Sequence, residues 1–364
     1  MSLKPDPRIQ KAVISTTSRL VGEFENAGIL ITHAFPGIGS RDGWIRMEEG
    51  PNARNAYIVS FVTETPTVAA GWLVPDYTGT VERFCQYLSL LYGKRFDNHG
   101  LIETSGLYNI PDLSHFNSIC NHTLPQNSYA PRADYSIPMH LAEISRLEPL
   151  FHGVASEKDS ITKFNAACKF YHRALQAVER DPEVAYLHLI SSGEILSQAV
   201  DVDKESLLSV EFKNILTRIE DDLEDGKRIG KILRHELRGL KSRFIGALEK
   251  LTSDDFFDKS ESKEIYFGLK KERFKVALGA AYDLRSRYVH SGVGFGSWVA
   301  PRGSNEEIQA GEPVLDSKKL AKILFEAPTY IGLERIVRQS LLSFAGQKYG
   351  LDLLVKQDIT PPTC

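Results

Sequence analysis

The chain has 364 residues, of which 42% are hydrophobic and 25% charged, and its formal net charge is −3. This length allows two ordinary domains with a core in each, and the composition is typical of a soluble globular protein. The charge excludes a chain that is basic throughout, so a surface that binds nucleic acid has to be local.

The sequence carries no pattern of membrane insertion or secretion. No apolar run approaches the length of a membrane span, about 18 residues, and the first 20 residues lack the apolar core of a signal peptide. The cysteines are scattered and form no C-x-x-C pair: Cys85, Cys120, Cys168 and Cys364. We therefore expect a cytoplasmic protein with reduced thiols, no membrane partner and no cofactor.

The first 140 residues combine strand and helix patterns. Segments 29–35, 44–49 and 56–63 are short, rich in β-branched and aromatic residues, and separated by turn formers. Segment 79–96 predicts a helix, with Thr80 as a plausible N-cap. Its apolar stripe contains Phe84, Tyr87, Leu88 and Leu91.

From about residue 140 the pattern becomes helical. The predicted helices are 161–180, 183–200, 206–225, 227–251, 261–290 and 318–346. Asp181 followed by Pro182 is a typical helix start. We therefore predict an α+β N-terminal domain, followed by an all-α helical bundle and a C-terminal tail. The proposed bounds are 1–140, 141–350 and 351–364.

The helix at 261–290 ends with an arginine and a histidine five residues apart. Its apolar stripe runs through Phe274, Leu278, Ala281 and Tyr288. Arg285 falls on that stripe, where a guanidinium is costly without a partner because it cannot lose its charge. His290 follows, and Ser291 with Gly292 should stop the helix.

This segment resembles the R-x4-H signature of the HEPN superfamily, in the form seen in ApeA-like HEPN domains. The earlier segment 186–196, with Glu194 inside an apolar run, resembles the first core helix of that group. The resemblance covers roughly residues 145–350. Ser286 stands where many active members have Asn, Asp or His. Glu194, Ser286 and Tyr288 are assigned supporting positions.

The resemblance implies metal-independent cleavage of RNA by two HEPN domains whose Arg285 and His290 meet in one cleft. RNA carries its own nucleophile, the 2′-OH, an imidazole can take or return a proton, and an arginine can stabilise charge on phosphate. The function implied is an endoribonuclease, in the manner of an antiphage defence or toxin effector, acting as a homodimer. We expect no metal.

Basic residues support a local RNA surface. Residues 227–250 contain eight Lys or Arg and two Glu, a local charge of +6. Such stripes attract phosphate backbones regardless of base sequence. The predicted RNA-binding side chains lie on the helices at 227–251 and 261–290, and they are Lys231, Arg234, Arg238, Lys241 and Arg287. A solvated helix face is the alternative for the stripe.

A glycine-rich loop at 291–313 starts one residue after His290, so it should border the site. Phe295 and Trp298 could stack on unpaired bases, or the loop could be a disordered insertion. Two other motifs are weak. His115, Cys120 and His122 lack an evident fourth zinc ligand, and Gly37 to Ser40 lacks the remaining residues of a phosphate-binding loop.

Two further alternatives stay open. The C-terminal half could be a non-catalytic HEPN module that binds RNA or a protein partner as a scaffold. Arg285 and His290 could also be a buried ion pair and a helix-capping histidine. The N-terminal half shows no nucleophile with a base at catalytic spacing, and we predict a sensor or regulatory domain that responds to a trigger such as one derived from phage.

Overall fold

The computed structural model describes residues 7–26, 28–34, 54–64, 76–104, 106–114, 120–133, 135, 138–151, 158–202, 210–230 and 239–353. The chain divides into two compact units. The first comprises Met1–Ala155, Leu175–Glu179 and Ala345–Cys364, and the second comprises Ser156–Ala174 and Arg180–Phe344. A strand-rich N-terminal region precedes a mostly helical part, as predicted.

The first unit is built on strands. They are β1 (Pro7–Thr16), β2 (Leu20–Val21), β3 (Phe24–Asn26), β4 (Ile29–His33), β5 (Asn55–Glu64), β6 (Phe96–Thr104), β7 (Leu107–Tyr108) and β8 (Met139–His140). An antiparallel sheet has the strand order β3-β4-β5-β1-β6-β7, and β2 forms a separate parallel pair with β8. The predicted strands at 29–35 and 56–63 are confirmed, whereas segment 44–49 lies outside the described residues.

The strand at the centre of the sheet was not predicted. β1 pairs with β5 on one side and with β6 on the other. Its buried positions include Ala12 and Ile14, but also Gln10 and Ser15. These polar side chains interrupt the alternation of apolar and polar residues that indicates a half-buried strand, so the sequence pattern does not predict β1.

Helix α1 (Thr78–Tyr92) packs against β6 within the first unit. Its predicted apolar stripe is buried throughout. Gly93 ends the helix in the left-handed conformation, with φ of 62°, so the chain leaves the helix before residue 96. Thr80 is not the N-cap, because the helix begins at Thr78, whose backbone N–H donates to Asp76 Oδ1.

The second unit is helical. Its main helices, some of which extend past its bounds, are α2 (Lys158–Ala177), α3 (Pro182–Ser197), α4 (Val210–Asp222), α5 (Leu240–Leu251), α6 (Phe274–Ser291), α7 (Lys318–Glu326) and α8 (Tyr330–Tyr349). Asp181 caps α3 as predicted, accepting from the Val184 N–H with Pro182 in the first turn. Helix α6 packs on α3, α5 and α7.

Three predicted helices have different bounds. The helix at 227–251 is not continuous, because Gly239 is extended, with ψ of 130°, and α5 begins after it. The helix at 261–290 begins only at Phe274, after two short 3-10 turns. The helix at 318–346 is divided by Pro328, which lacks an N–H and forces Ala327 into an extended conformation.

A buried carboxylate joins several segments of the second unit. Glu307 is fully buried and forms an ion pair with Arg335 of α8. The same carboxylate accepts from Ser260 Oγ and from the backbone N–H of Leu269, each at 2.8 Å. Gly332 lies so close to the Glu307 carbonyl that a side chain there would clash. The loop before α7 is therefore held on α8.

None of the helices in the described part of the chain is both long enough and apolar enough to cross a membrane.

The first unit has its own buried ion cluster around Asp97. Arg54 and Arg95 both pair with its carboxylate. Burial on its own would raise the pKa of Asp97, but the charges of Arg95 and Arg54 outweigh burial and lower the pKa to about 2. The ionised carboxylate therefore supplies negative charge to both arginines, of which Arg95 also pairs with Glu179.

We expect D97N to lower the free energy of unfolding by about 3–5 kcal/mol at neutral pH, because it leaves buried guanidinium charge uncompensated. The pKa of Asp97 is lower in the folded protein than in the unfolded chain, where it is about 3.9. Ionised Asp97 therefore stabilises the folded protein fully at pH values above about 3.9, and this stabilisation is lost as the pH falls toward about 2. The difference between wild type and D97N in urea titrations should therefore narrow over that range.

The matched control is D159N, since Asp159 is an exposed carboxylate that pairs with Lys163. Its loss should change the free energy of unfolding by less than about 1 kcal/mol. Equal effects of D97N and D159N would contradict the role given to Asp97.

Candidate functional site

The site predicted from the sequence lies at the C-terminal end of α6. The helix is capped by Gly292, which has φ of 63° and donates its N–H to the Tyr288 carbonyl. The predicted stop at Ser291 and Gly292 is thus confirmed. Arg285 and His290 both lie on regular helix, in its last two turns.

Arg285 is held by an acidic side chain of the neighbouring helix α3. Its Nη2 donates to Glu194 Oε2 at 3.3 Å, and the two side chains are 25% and 16% exposed. Its guanidinium carbon also lies 5.8 Å from the centre of the Tyr282 ring. Arg285 therefore has the partner that its place on the apolar stripe requires.

Tyr282 is a third member of this cluster that the sequence did not indicate. Burial raises its pKa to about 12, and the neighbouring Glu194 carboxylate adds to the effect. The phenol therefore stays protonated at neutral pH. The Tyr282 ring packs on Phe244 of α5, with centroids 5.6 Å apart, which fixes the side of α6 that carries Arg285.

His290 has a different environment. It is exposed, and within the described ranges no hydrogen bond or ion pair engages its imidazole. Positions five apart on a regular helix point about 140° apart. In one chain, Arg285 and His290 therefore leave the helix on different sides, and the structure does not bring them to one point.

The two other supporting residues flank these positions. Ser286 and Tyr288 are half-buried. The Tyr288 ring lies edge-on to Phe295, with centroids 5.8 Å apart, and Phe295 also contacts Tyr186 of α3 at 5.5 Å. Tyr288 thus packs the end of α6 against the loop that follows it.

The loop at 291–313 is packed, so the alternative of a disordered insertion is wrong. Phe295 is 2% exposed, and the prediction that its ring stacks on a base is wrong because both tyrosines cover it. Trp298 is 36% exposed and keeps an accessible ring. Stacking by Trp298 remains a prediction.

Glu183 anchors the start of this loop, a role that the sequence did not predict. Its Oε1 accepts the backbone N–H groups of both Phe295 and Gly296. Glu183 belongs to the first turn of α3, where an acidic residue has no distinguishing pattern. The contact spans more than a hundred residues of chain.

The predicted basic surface is only partly described. Lys231, Arg234 and Arg238 lie outside the described residues. Lys241 forms an ion pair with Asp283 at 2.6 Å. Arg243 and Lys250, from the same segment, donate to backbone carbonyls, so these three described bases are engaged within the protein.

Arg287 differs from these bases. Its Nε is buried without a hydrogen-bond partner, and no ion pair joins it to another described residue. It is therefore a guanidinium near the end of α6 without a carboxylate partner in the described part of the chain.

The first unit contains a serine–histidine pair that the sequence did not reveal. Ser15 Oγ lies 2.7 Å from His99 Nε2, and His99 Nδ1 lies 2.9 Å from the Asp112 carbonyl. Such a pair could form a nucleophile and base. Both side chains are buried, so a substrate has no access and the pair is structural here.

The weaker motifs gain no support. His115 and the segment Gly37 to Ser40 lie outside the described residues. Cys120 is buried, and its Sγ accepts from Arg54 Nη2 at 2.8 Å. Among the residues that the structure describes, no group of three His, Cys, Asp or Glu side chains is placed to hold a metal ion.

Comparison with family models, with curated proteins and with solved structures finds no match to this chain.

E183A should loosen the root of the loop, because it removes the acceptor of two backbone N–H groups. A hydrogen bond to a charged group contributes about 1.5–3 kcal/mol, so amide exchange at Phe295 and Gly296 should accelerate at least about tenfold. Hydrogen exchange resolved by NMR measures this. The control is E272A, which removes an exposed acid of the same unit, and equal exchange in both variants would show that Glu183 is no anchor.

Proposed function

We propose that this chain is a HEPN-type endoribonuclease that cleaves RNA without a metal ion, with Arg285 and His290 as its catalytic residues. One observation carries the proposal. Arg285 is oriented by Glu194 on the same helix whose last turn presents His290 to solvent. An oriented guanidinium and an accessible imidazole are the two groups that this reaction needs.

The chemistry uses the 2′-OH of the substrate. His290 takes the proton of the 2′-OH as its oxygen bonds to the adjacent phosphorus, and the bond from phosphorus to the 5′-oxygen breaks. A second histidine, or the same one, returns a proton to that leaving oxygen. Arg285 stabilises the negative charge that develops on the phosphate. The products carry a 2′,3′-cyclic phosphate and a 5′-hydroxyl.

A homodimer would overcome the divergence of the two side chains. Because Arg285 and His290 point about 140° apart on one helix, two α6 helices related by a twofold axis can present Arg285 of one chain beside His290 of the other. Val289, which is 55% exposed beside His290, offers apolar surface for such a contact.

A scaffold that binds RNA or protein without cleavage is the second candidate. The observation that favours it is the divergence of Arg285 and His290 by about 140° on one helix, since one chain alone does not bring both side chains to one phosphate.

We further propose that the N-terminal domain, residues 1–140, is a sensor or regulatory domain of an antiphage or toxin effector and responds to a trigger of phage origin. Its serine–histidine pair is buried, so that pair supplies no accessible catalytic site. A regulatory role for this unit agrees with that burial.

The test is cleavage of total RNA or tRNA in EDTA by purified full-length protein. Cleavage should persist in EDTA and fall at least about 100-fold in H290A, the usual contribution of a general acid or base. Because His290 is exposed, the thermal midpoint of H290A should equal that of wild type.

The matched control is K275A, which removes an exposed cation about 22 Å along the same helix. It should cleave as wild type does. Full activity of H290A, or activity lost on adding EDTA and restored by a metal, would rule out the mechanism. Binding of RNA without any cleavage would favour the scaffold.

A further inference from the structure

We infer that Arg287 and His290 of one chain form a binding pair for a phosphate of single-stranded RNA. The inference rests on the proposed function, which it deepens by naming the residue that holds the phosphate before reaction. Arg285 keeps the separate role of stabilising charge in the transition state.

The helix places Arg287 and His290 on one face. Residues three apart on a helix are neighbours, with Cβ atoms about 5–6 Å apart. Both positions lie on regular helix, because α6 extends to Ser291. Their directions differ by about 60°, compared with about 140° for Arg285 and His290. Within one chain, Arg287 is therefore the arginine nearer to the imidazole.

The contacts of the two arginines also differ. Arg285 already faces Glu194, so a ground-state phosphate has to compete with that carboxylate. Arg287 has no carboxylate partner among the described residues, and its buried Nε lacks a hydrogen bond. Of the three guanidinium nitrogens, only Nε is both buried and without a partner. The two terminal nitrogens can act as paired donors, a geometry that suits two phosphate oxygens.

The nearest acid on this helix does not neutralise Arg287. Asp283 lies four residues before it, at the spacing of a helical ion pair. The Asp283 carboxylate instead pairs with Lys241 of α5 at 2.6 Å. Because this acid is turned to another helix, Arg287 has no counter-charge among the residues that the structure describes. A phosphodiester would supply that charge, and His290 would lie beside it.

The experiment measures binding of a labelled 2′-O-methyl oligoribonucleotide, which lacks the attacking 2′-OH and so is not cut. Wild type, R287A, R287K and K275A are compared by fluorescence anisotropy across a salt series. In R287A, affinity should fall about tenfold, as for one lost charge-assisted contact. The slope of log affinity against log salt should shrink by about 0.7, the value for one phosphate on a single strand.

R287K should keep the wild-type salt slope because it keeps the charge, and K275A should match wild type in both affinity and slope. With cleavable RNA, R287A should raise KM while R285A lowers kcat. If R287A does not fold, as judged by its thermal melt, R287K decides: it should raise KM through loss of paired donors, and a wild-type KM would overturn the inference.

Binding by R287A equal to that of K275A would overturn the inference, as would failure of wild type to bind the oligonucleotide. If R287A weakens binding but wild type cleaves no RNA, the Arg287 site stands and the proposed ribonuclease falls.

Discussion

The buried Glu307 carboxylate constrains most of the helical unit. A charge taken out of water is costly unless it is paired and fully hydrogen-bonded. Arg335 supplies the counter-charge, and Ser260, Glu261 and Leu269 each donate a hydrogen bond to the carboxylate. These contacts join the segment before α6, the loop after it and helix α8. The segments that precede and follow helix α6 are thus both anchored at one carboxylate, and this fixes the position of the helix end.

A second carboxylate, Glu194, gives the basic groups at the end of α6 different surroundings. It engages Arg285 and leaves Arg287 and His290 without partners in the described chain. An arginine held by an acid is oriented but partly neutralised, whereas one without an acid attracts anions. The two arginines, two residues apart, therefore have different electrostatic roles. The division of binding and transition-state stabilisation proposed above follows from this difference.

Sequence patterns predicted features that depend on the spacing of nearby residues, or on the free-energy cost of burying one charged residue without a partner. The apolar stripe of α1 and the Asp181 cap are of this kind, and Arg285 on an apolar stripe needed an acid such as Glu194. Features set by distant contacts were not predictable. The sequence alone indicates that Phe295 is accessible, because its packing on Tyr186 joins distant segments. Likewise, Ser15 contacts His99, which lies 84 residues away in the chain.

The proposed mechanism makes the 2′-OH of RNA the nucleophile at the Arg285 and His290 site. The chemical ends of the fragments formed in EDTA reveal which nucleophile has reacted. The fragments should carry 2′,3′-cyclic phosphate and 5′-hydroxyl ends, and a substrate with a single 2′-deoxy residue at the cleaved position should remain intact. Fragments with 5′-phosphate ends, or cleavage that continues at the 2′-deoxy position, would contradict the claim.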